Sequence, residues 1–243
     1  MLTQSVQRPL TKQEVKEVVK FVSYHLNYVP LTEFNVEFVK SAKEYADWYE
    51  GYKVRTPEHI DEINKDIPCF FDQTTNTAVM QAFNYIDGIV VPVFVYPMAT
   101  IVHECIHFFQ YATSTSVGTW KVMYEGTNEV LSCFLMNDDV FDYEKEAQYA
   151  FNLIMELCAH DFMDAIIWMK RYTVHSNKNG FVERSIKQCP TFSKFRPRNL
   201  LRWLDNNQLG RIKNDAARAI FTKYGMYQIK QMIHANHELI MRV

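Results

Sequence analysis

Apolar positions recur along this chain with two periods, and the mixture of periods changes near its middle. Val15, Val18, Val19, Val22 and Leu26 return at helical intervals behind Thr11-Lys12-Gln13-Glu14, a capping box, and predict an amphipathic helix. Phe34-Asn35-Val36-Glu37-Phe38-Val39 alternates and predicts a half-buried strand. Helical spacing returns over residues 41–52, with Tyr45, Trp48 and Tyr49 on one side, and Pro57 opens a short helix through Ile63. The apolar stretches between Ile67 and Phe83 flank Thr74-Thr75-Asn76-Thr77, a hairpin pattern. Residues 88–96 carry the strongest strand signal, and Pro92, which lacks an N–H, assigns that strand to a sheet edge. Pro97 suits the first turn of a helix running to Ala112, seated by Ile101, Cys105, Phe108 and Phe109, and 114–118 reads as a loop.

Beyond that loop the pattern is helical throughout. Helices are expected at 119–136, 143–157, 159–174, 197–206, 214–224 and 226–240. No internal repeat or long linker interrupts the chain. The fold class is therefore α+β, with a small sheet in the N-terminal half and a mostly helical C-terminal half. The expected division is an N-terminal α+β subdomain, 1–113, and a helical subdomain, 114–243.

Composition narrows the class without naming a function. Hydrophobic residues make up 48% and charged residues 22% of 243 positions, the balance of a globular domain with a real core. The longest apolar run, Ile86 to Val102, is broken by Asp87, Pro92 and Pro97, so no membrane span is expected. Met1 to Pro9 carries no apolar leader pattern, and the five cysteines are widely spaced with no C-x-x-C pair. Both features predict reduced thiols and a cytoplasmic setting, leaderless export aside. The net charge of −2 conceals an asymmetry: residues 1–174 hold 13 Lys+Arg against 24 Asp+Glu, and residues 175–243 hold 13 against 4. Such a chain either pairs its oppositely charged parts or presents its basic third to an acidic partner.

Within the helix after Pro97 lies His103-Glu104-Cys105-Ile106-His107, an H-E-x-x-H motif. Four helical positions bring a side chain back to nearly the same direction, so the two imidazoles face one point. That is what a tetrahedral zinc needs from two ligands, with Glu104 beside them to handle the proton of a water. Cys105 is read as core packing, since a thiolate there would close the position that a catalytic site keeps open. Two imidazoles need a third protein ligand, and the helix at 119–136 offers Tyr124-Glu125-Gly126-Thr127-Asn128-Glu129.

This run resembles the glutamate helix of gluzincin-type zinc metallopeptidases, in which a Glu on the next helix completes a His-His-Glu site and is often followed by Gly. Glu125, 18 positions past His107 and followed by Gly126, is then the third ligand of one Zn2+ ion. The resemblance implies that Glu129, one turn on, accepts a hydrogen bond from a ligand imidazole, with His103 the expected donor. The roles of Glu125 and Glu129 stay exchangeable at this point. A zincin-like fold implies a mixed sheet whose edge strand precedes the active-site helix and receives extended peptide, which places Val91, Val93 and Val95 along the substrate. It further implies Glu104 as general base in peptide-bond hydrolysis, and a Tyr or His from the C-terminal part facing the oxyanion. His160, His175, Tyr124 and Tyr149 are the candidates. The similarity covers roughly residues 67–137.

Plainer readings stand beside these. His234 and His237, three apart on the last helix, fit a surface helix better than a metal pair. Phe192, Phe195 and Trp203 lie among Arg184, Lys187, Lys194, Arg196, Arg198 and Arg202, with no acidic residue from Arg184 to Leu204. That segment could dock nucleic acid or another acidic partner, or simply form salt bridges within the fold. The alternative to a peptidase acting on peptide or protein substrates is accordingly a binding protein on the same scaffold, without proteolysis.

Overall fold

In a computed structural model of the protein, helix α1 (Lys12–Leu26) begins where the capping box places it. The Thr11 hydroxyl accepts the Glu14 N–H at 3.3 Å and the Glu14 carboxylate accepts the Thr11 N–H at 2.8 Å. The structure describes all residues except 1, 3–4, 7–8, 52–55, 67–68, 87–88, 93–95, 115–119, 139–141 and 242–243. The chain divides into two compact units, one of residues 1–24 and 29–108, the other of 25–28 and 109–243.

The first unit is built on a three-stranded mixed sheet. A two-residue strand, β1 (Ser5–Val6), precedes α1; β2 (Asn35–Val39), helices α2 (Ala42–Glu50) and α3 (Pro57–Asp66), β3 (Cys69–Asp72) and β4 (Thr77–Gln81) follow. Strand order is β2-β4-β3, with β2 parallel and β3 antiparallel to β4. Every residue of β4 is buried, as its central place demands, and Tyr45, Ala46, Ile63, Val79 and Phe83 form a core with Val39. The hairpin expected at Thr74–Thr77 forms, with Thr77 already in β4. Asp72 closes it, accepting the Thr74 N–H at 2.9 Å and the Thr74 and Thr75 hydroxyls at 2.6 Å each. Burial alone would raise the Asp72 pKa, but these donors and the Trp48 indole outweigh it and hold the carboxyl at about 2.

The strand expected over 88–96 appears as two short pieces. Strand β6 (Ile89–Pro92) pairs antiparallel with β5 (Phe83–Ile86), placing Val91 opposite Asn84, while β7 (Tyr96–Pro97) pairs antiparallel with β1. Val93 and Val95 lie outside the described residues. Pro97 closes β7 rather than opening the next helix, which starts at Met98. That helix, α4 (Met98–Thr113), is unbroken, although Phe108 is counted with the first unit and Phe109 with the second. Ile101, Cys105, Phe108 and Phe109 are all fully buried on it, and within the first unit Phe108 meets Phe34 and Phe71 at ring separations of 5.4 and 6.3 Å.

The second unit is helical: α5 (Lys121–Met136), α6 (Glu144–Leu157), α7 (Phe162–Thr173), α8 (Lys178–Gln188), α9 (Pro197–Asp205), a 3-10 turn (Leu209–Arg211), α10 (Asp215–Ile220) and α11 (Met226–Ile240). Sequence periodicity misses α8, a polar helix whose apolar content is Phe181, Val182 and Ile186. Its signal was the cap, where the Asn177 side chain accepts the Gly180 N–H at 2.9 Å. Helix α5 is a core element, buried at every residue from Gly126 to Met136 instead of amphipathic. Its N-cap residue, Trp120, offers no capping side chain; Asp205, the last residue of α9, accepts the Val122 N–H at 2.8 Å in its stead. No helix of the described residues is long and apolar enough to cross a membrane, and all five cysteines are free thiols.

Gly126 decides how closely α5 and α6 approach. A Cβ there would lie 2.2 Å from the Glu146 carbonyl oxygen, and that backbone cannot yield without moving α6. Gly126→Ala should gain about 1 kcal/mol of helix propensity yet lose stability by about 2 kcal/mol net, because the clash is with main chain. Urea unfolding measures this, and a variant as stable as wild type would contradict the close approach. A second expectation concerns His25, 4% exposed in the second unit. Burial first, then the charges of Lys170 and His237, lowers its pKa to about 4. The unfolded chain takes up that proton near pH 6.5, so the contribution is complete above 6.5 and is lost as pH falls toward 4, up to about 3 kcal/mol. Stability measured from pH 7.5 to 5 should decline, and His25→Leu should flatten the slope; an unchanged slope in the variant would remove His25 as its source.

Candidate metal centre

Helix α4 is buried on nearly every side, so its polar residues must find partners inside the protein. Gln110 and Asn128 are fully buried and answer each other: Gln110 Nε2 donates to Asn128 Oδ1 at 2.7 Å, and Asn128 Nδ2 donates to Gln110 Oε1 at 3.3 Å. Close by in sequence, the Tyr124 hydroxyl meets that of Tyr111 at 3.2 Å. Both contacts lie inside the second unit and fix the last turns of α4 against α5. At the end of α4 the buried Lys178 amine donates to Gln110 O (2.9 Å), Thr113 Oγ1 (3.0 Å) and His175 O (3.0 Å). Burial lowers its pKa to about 8, while its position at a helix C-terminus suits a cation.

Gln110 lies three residues past His107 on α4, and Asn128 three past Glu125 on α5. His103 Nε2 and His107 Nε2 stand 3.1 Å apart, and one ligand atom from each of His103, His107 and Glu125 lies within 4.8 Å of the others. Zn–N bonds of about 2.05 Å in a tetrahedron separate two nitrogens by roughly 3.3 Å, so the imidazole pair is already near chelating distance. Two imidazole nitrogens and one carboxylate oxygen are the donor set of a three-ligand zinc site with an open fourth position. The residues fit the ion.

The remaining candidates take varied places. Glu104, 6% exposed, is buried like His103 (5%) and His107 (4%) but does not belong to the clustered donors, which suits a proton acceptor. Glu129 is not among those donors either, so of the two exchangeable carboxylates it is Glu125 that joins the histidines. The buried Glu129 carboxylate accepts the Asp142 N–H at 2.5 Å, tying down the approach to α6. Cys105 is fully buried, its thiol pushed well up in pKa by that burial, which agrees with core packing.

Of the oxyanion candidates, Tyr124 pairs with Tyr111 as described. The Tyr149 hydroxyl is engaged by Asn207 Oδ1 at 2.7 Å. His160 Nε2 lies between Lys223 Nζ (2.8 Å) and Glu156 Oε2 (3.0 Å). His175 Nδ1 accepts the Asn177 N–H at 2.9 Å. His234 and His237 turn their Nδ1 atoms to Asn137 Oδ1 (2.8 Å) and to the Phe134 carbonyl (2.9 Å), in keeping with an ordinary helix. In the basic segment Arg198 pairs with Glu183 at 2.9 Å, and farther along Lys230 faces Glu144 at 3.9 Å.

Comparison with protein-family models, with curated proteins and with solved structures finds no match in any of the three. The chemistry of the site therefore rests on its own residues. Sequence reasoning missed three that matter here: Gln110 and Asn128, which bond α4 to α5, and Lys178, which holds the end of α4. Their only signal was polarity at positions where the helical pattern calls for apolar side chains.

Lys178→Met should leave the Gln110 and His175 carbonyls short of a donor in a buried place, costing about 2–4 kcal/mol. Thermal and urea unfolding of the variant check this. A loss below about 0.5 kcal/mol would show the amine to be dispensable to the end of α4.

Proposed function

We propose that the protein is a zinc-dependent metallopeptidase of gluzincin type on a zincin-like fold. The observation that carries this reading is the convergence of His103, His107 and Glu125 to within 4.8 Å, with the imidazole nitrogens 3.1 Å apart. His103, His107 and Glu125 would hold the ion. When bound, zinc supplies Lewis acidity, bringing the pKa of a water to about 7 and polarising a carbonyl. Glu104 takes a proton from the attacking water on its carboxylate and passes it to the nitrogen of the leaving amine.

The remaining protein groups orient and exclude. The Gln110–Asn128 pair joins the last turns of α4 to α5 through two amide hydrogen bonds. Backbone of the segment before α4, with Val91 on β6 its described part, is the proposed seat of an extended peptide. Cysteines held outside disulfides suit a reducing compartment, and the cytoplasm is the proposed setting.

Purified protein should bind one zinc per chain and cleave members of a peptide library. Glu104→Gln should keep the zinc and lose at least about 100-fold in hydrolysis, since it removes the proton acceptor and spares the ligands. His103→Ala should lose the metal. Hydrolysis surviving in Glu104→Gln would refute its role, and stoichiometric zinc in His103→Ala would refute the site. Wild type that binds zinc and hydrolyses nothing would leave the scaffold as a binding module.

A further inference from the structure

The basic stretch over α8 and α9 keeps most of its charge unused by the fold. From Arg184 to Leu204 the chain carries six cations and no acidic residue, and Arg184, Lys187, Lys194, Arg196, Arg198 and Arg202 are all exposed. Among the described residues only Arg198 of the six is paired with a carboxylate, that of Glu183 at 2.9 Å, while Arg202 reaches the Asn199 amide oxygen at 3.4 Å. The side chains of the other four have neither a hydrogen bond nor an ion pair there. Like charges one helical turn apart repel, so the fold itself gains nothing from this arrangement.

Packing gathers these charges on one side of the second unit. Helices α8 and α9 pack together, and the Glu183–Arg198 pair joins the middle of α8 to the first turn of α9. Lys187 follows Glu183 by one turn and Arg202 follows Arg198 by one turn, so each extends along its helix the surface that the pair marks. Lys194 and Arg196 lie in the segment connecting the two helices. The large apolar side chains of the same stretch turn inward. Phe192 is fully buried and stacks on Phe221 with centroids 5.7 Å apart, Leu200, Leu201 and Leu204 are in the core, and Phe195 and Trp203 pack against it.

That inward turn decides the class of partner. A single strand needs exposed rings on which bases stack, a protein partner needs an apolar centre to its interface, and a lipid surface takes up an apolar helix face. No large apolar side chain between 184 and 204 is exposed to serve any of these. What remains is a polyanion held by charge alone, as a nucleic-acid duplex is held through its phosphates. RNA duplexes are recognised through 2′-hydroxyls as well. Here four of the five polar side chains without a partner are cations and only Gln188 is neutral, which suits DNA better. We propose that α8, the segment 189–196 and the start of α9 form a docking surface for the phosphate backbone of double-stranded DNA, without reading its sequence. The surface uses no residue of the metal centre and stands or falls apart from it.

Fluorescence anisotropy of a short labelled DNA duplex tests this on the full chain. Binding should weaken from about 50 to 200 mM salt, log K falling against log[salt] with a slope of about −4, as for four or five neutralised phosphates. Lys187→Gln, Lys194→Gln and Arg196→Gln together should weaken binding at least about 10-fold at low salt and make the slope shallower by about 2–3. Their Tm should hold, because these side chains touch no partner in the fold. Lys12→Gln, Lys16→Gln and Lys40→Gln together, at exposed lysines of the first unit, change the net charge equally and should bind like wild type. Absence of duplex binding at low salt overturns the proposal, as does an equal loss in both triple variants, which would make the effect one of net charge. Tighter binding of single-stranded DNA or of an RNA duplex, or binding of phosphatidylserine vesicles in place of DNA, overturns it by replacing the partner.

Discussion

The constraint on which the structure depends is the burial of polar side chains along α4. A helix enclosed on nearly all sides cannot hold two imidazoles, a carboxylate and an amide unless each has a partner, since an unpaired polar group in such a place costs about 1–3 kcal/mol. The solution is a matching polar stripe on α5. Asn128 answers Gln110 with two amide hydrogen bonds, and one turn earlier Glu125 comes to the histidines. That amide pair fastens the last turns of α4 to α5 inside the second unit.

The rest of the second unit holds α5 and the end of α4 in place. Helix α5 has no capping side chain of its own, so α9 lends Asp205; α6 approaches closely because position 126 has no Cβ; Lys178 fastens the end of α4. Each arrangement is local chemistry with a consequence elsewhere. Gly126 and Glu125 are neighbours, so the glycine that admits α6 lies beside the carboxylate of the cluster. The E-G pair that suggested a ligand from sequence has, in the fold, a packing reason for its second member.

In the basic C-terminal third Arg198 is paired with Glu183, Lys230 faces Glu144 and Lys178 is buried against carbonyls, so part of the positive charge is used inside the second unit. Exposed pairs of this kind contribute little to stability, typically below about 1 kcal/mol, but they do reduce the charge offered to a partner.

Much of the molecule was legible in the chain. The capping box located α1, the alternation at Phe34 located β2, and the Thr74–Thr77 segment located its hairpin, because each is governed by contacts within a few residues. H-E-x-x-H was legible for the same reason: helical periodicity alone brings His103 and His107 together. The division of 88–96 between two ladders, the polar helix α8 and the Pro97 position were not legible, since pairing partners and caps decided them. The choice of Glu125 over Glu129 also belonged to the tertiary structure. Both lie on one face of α5, and in the fold it is the Glu125 carboxylate that clusters with the histidines. Sequence determined which donors exist and which way a helix turns them; the packing of one buried helix on another decided which of them meet.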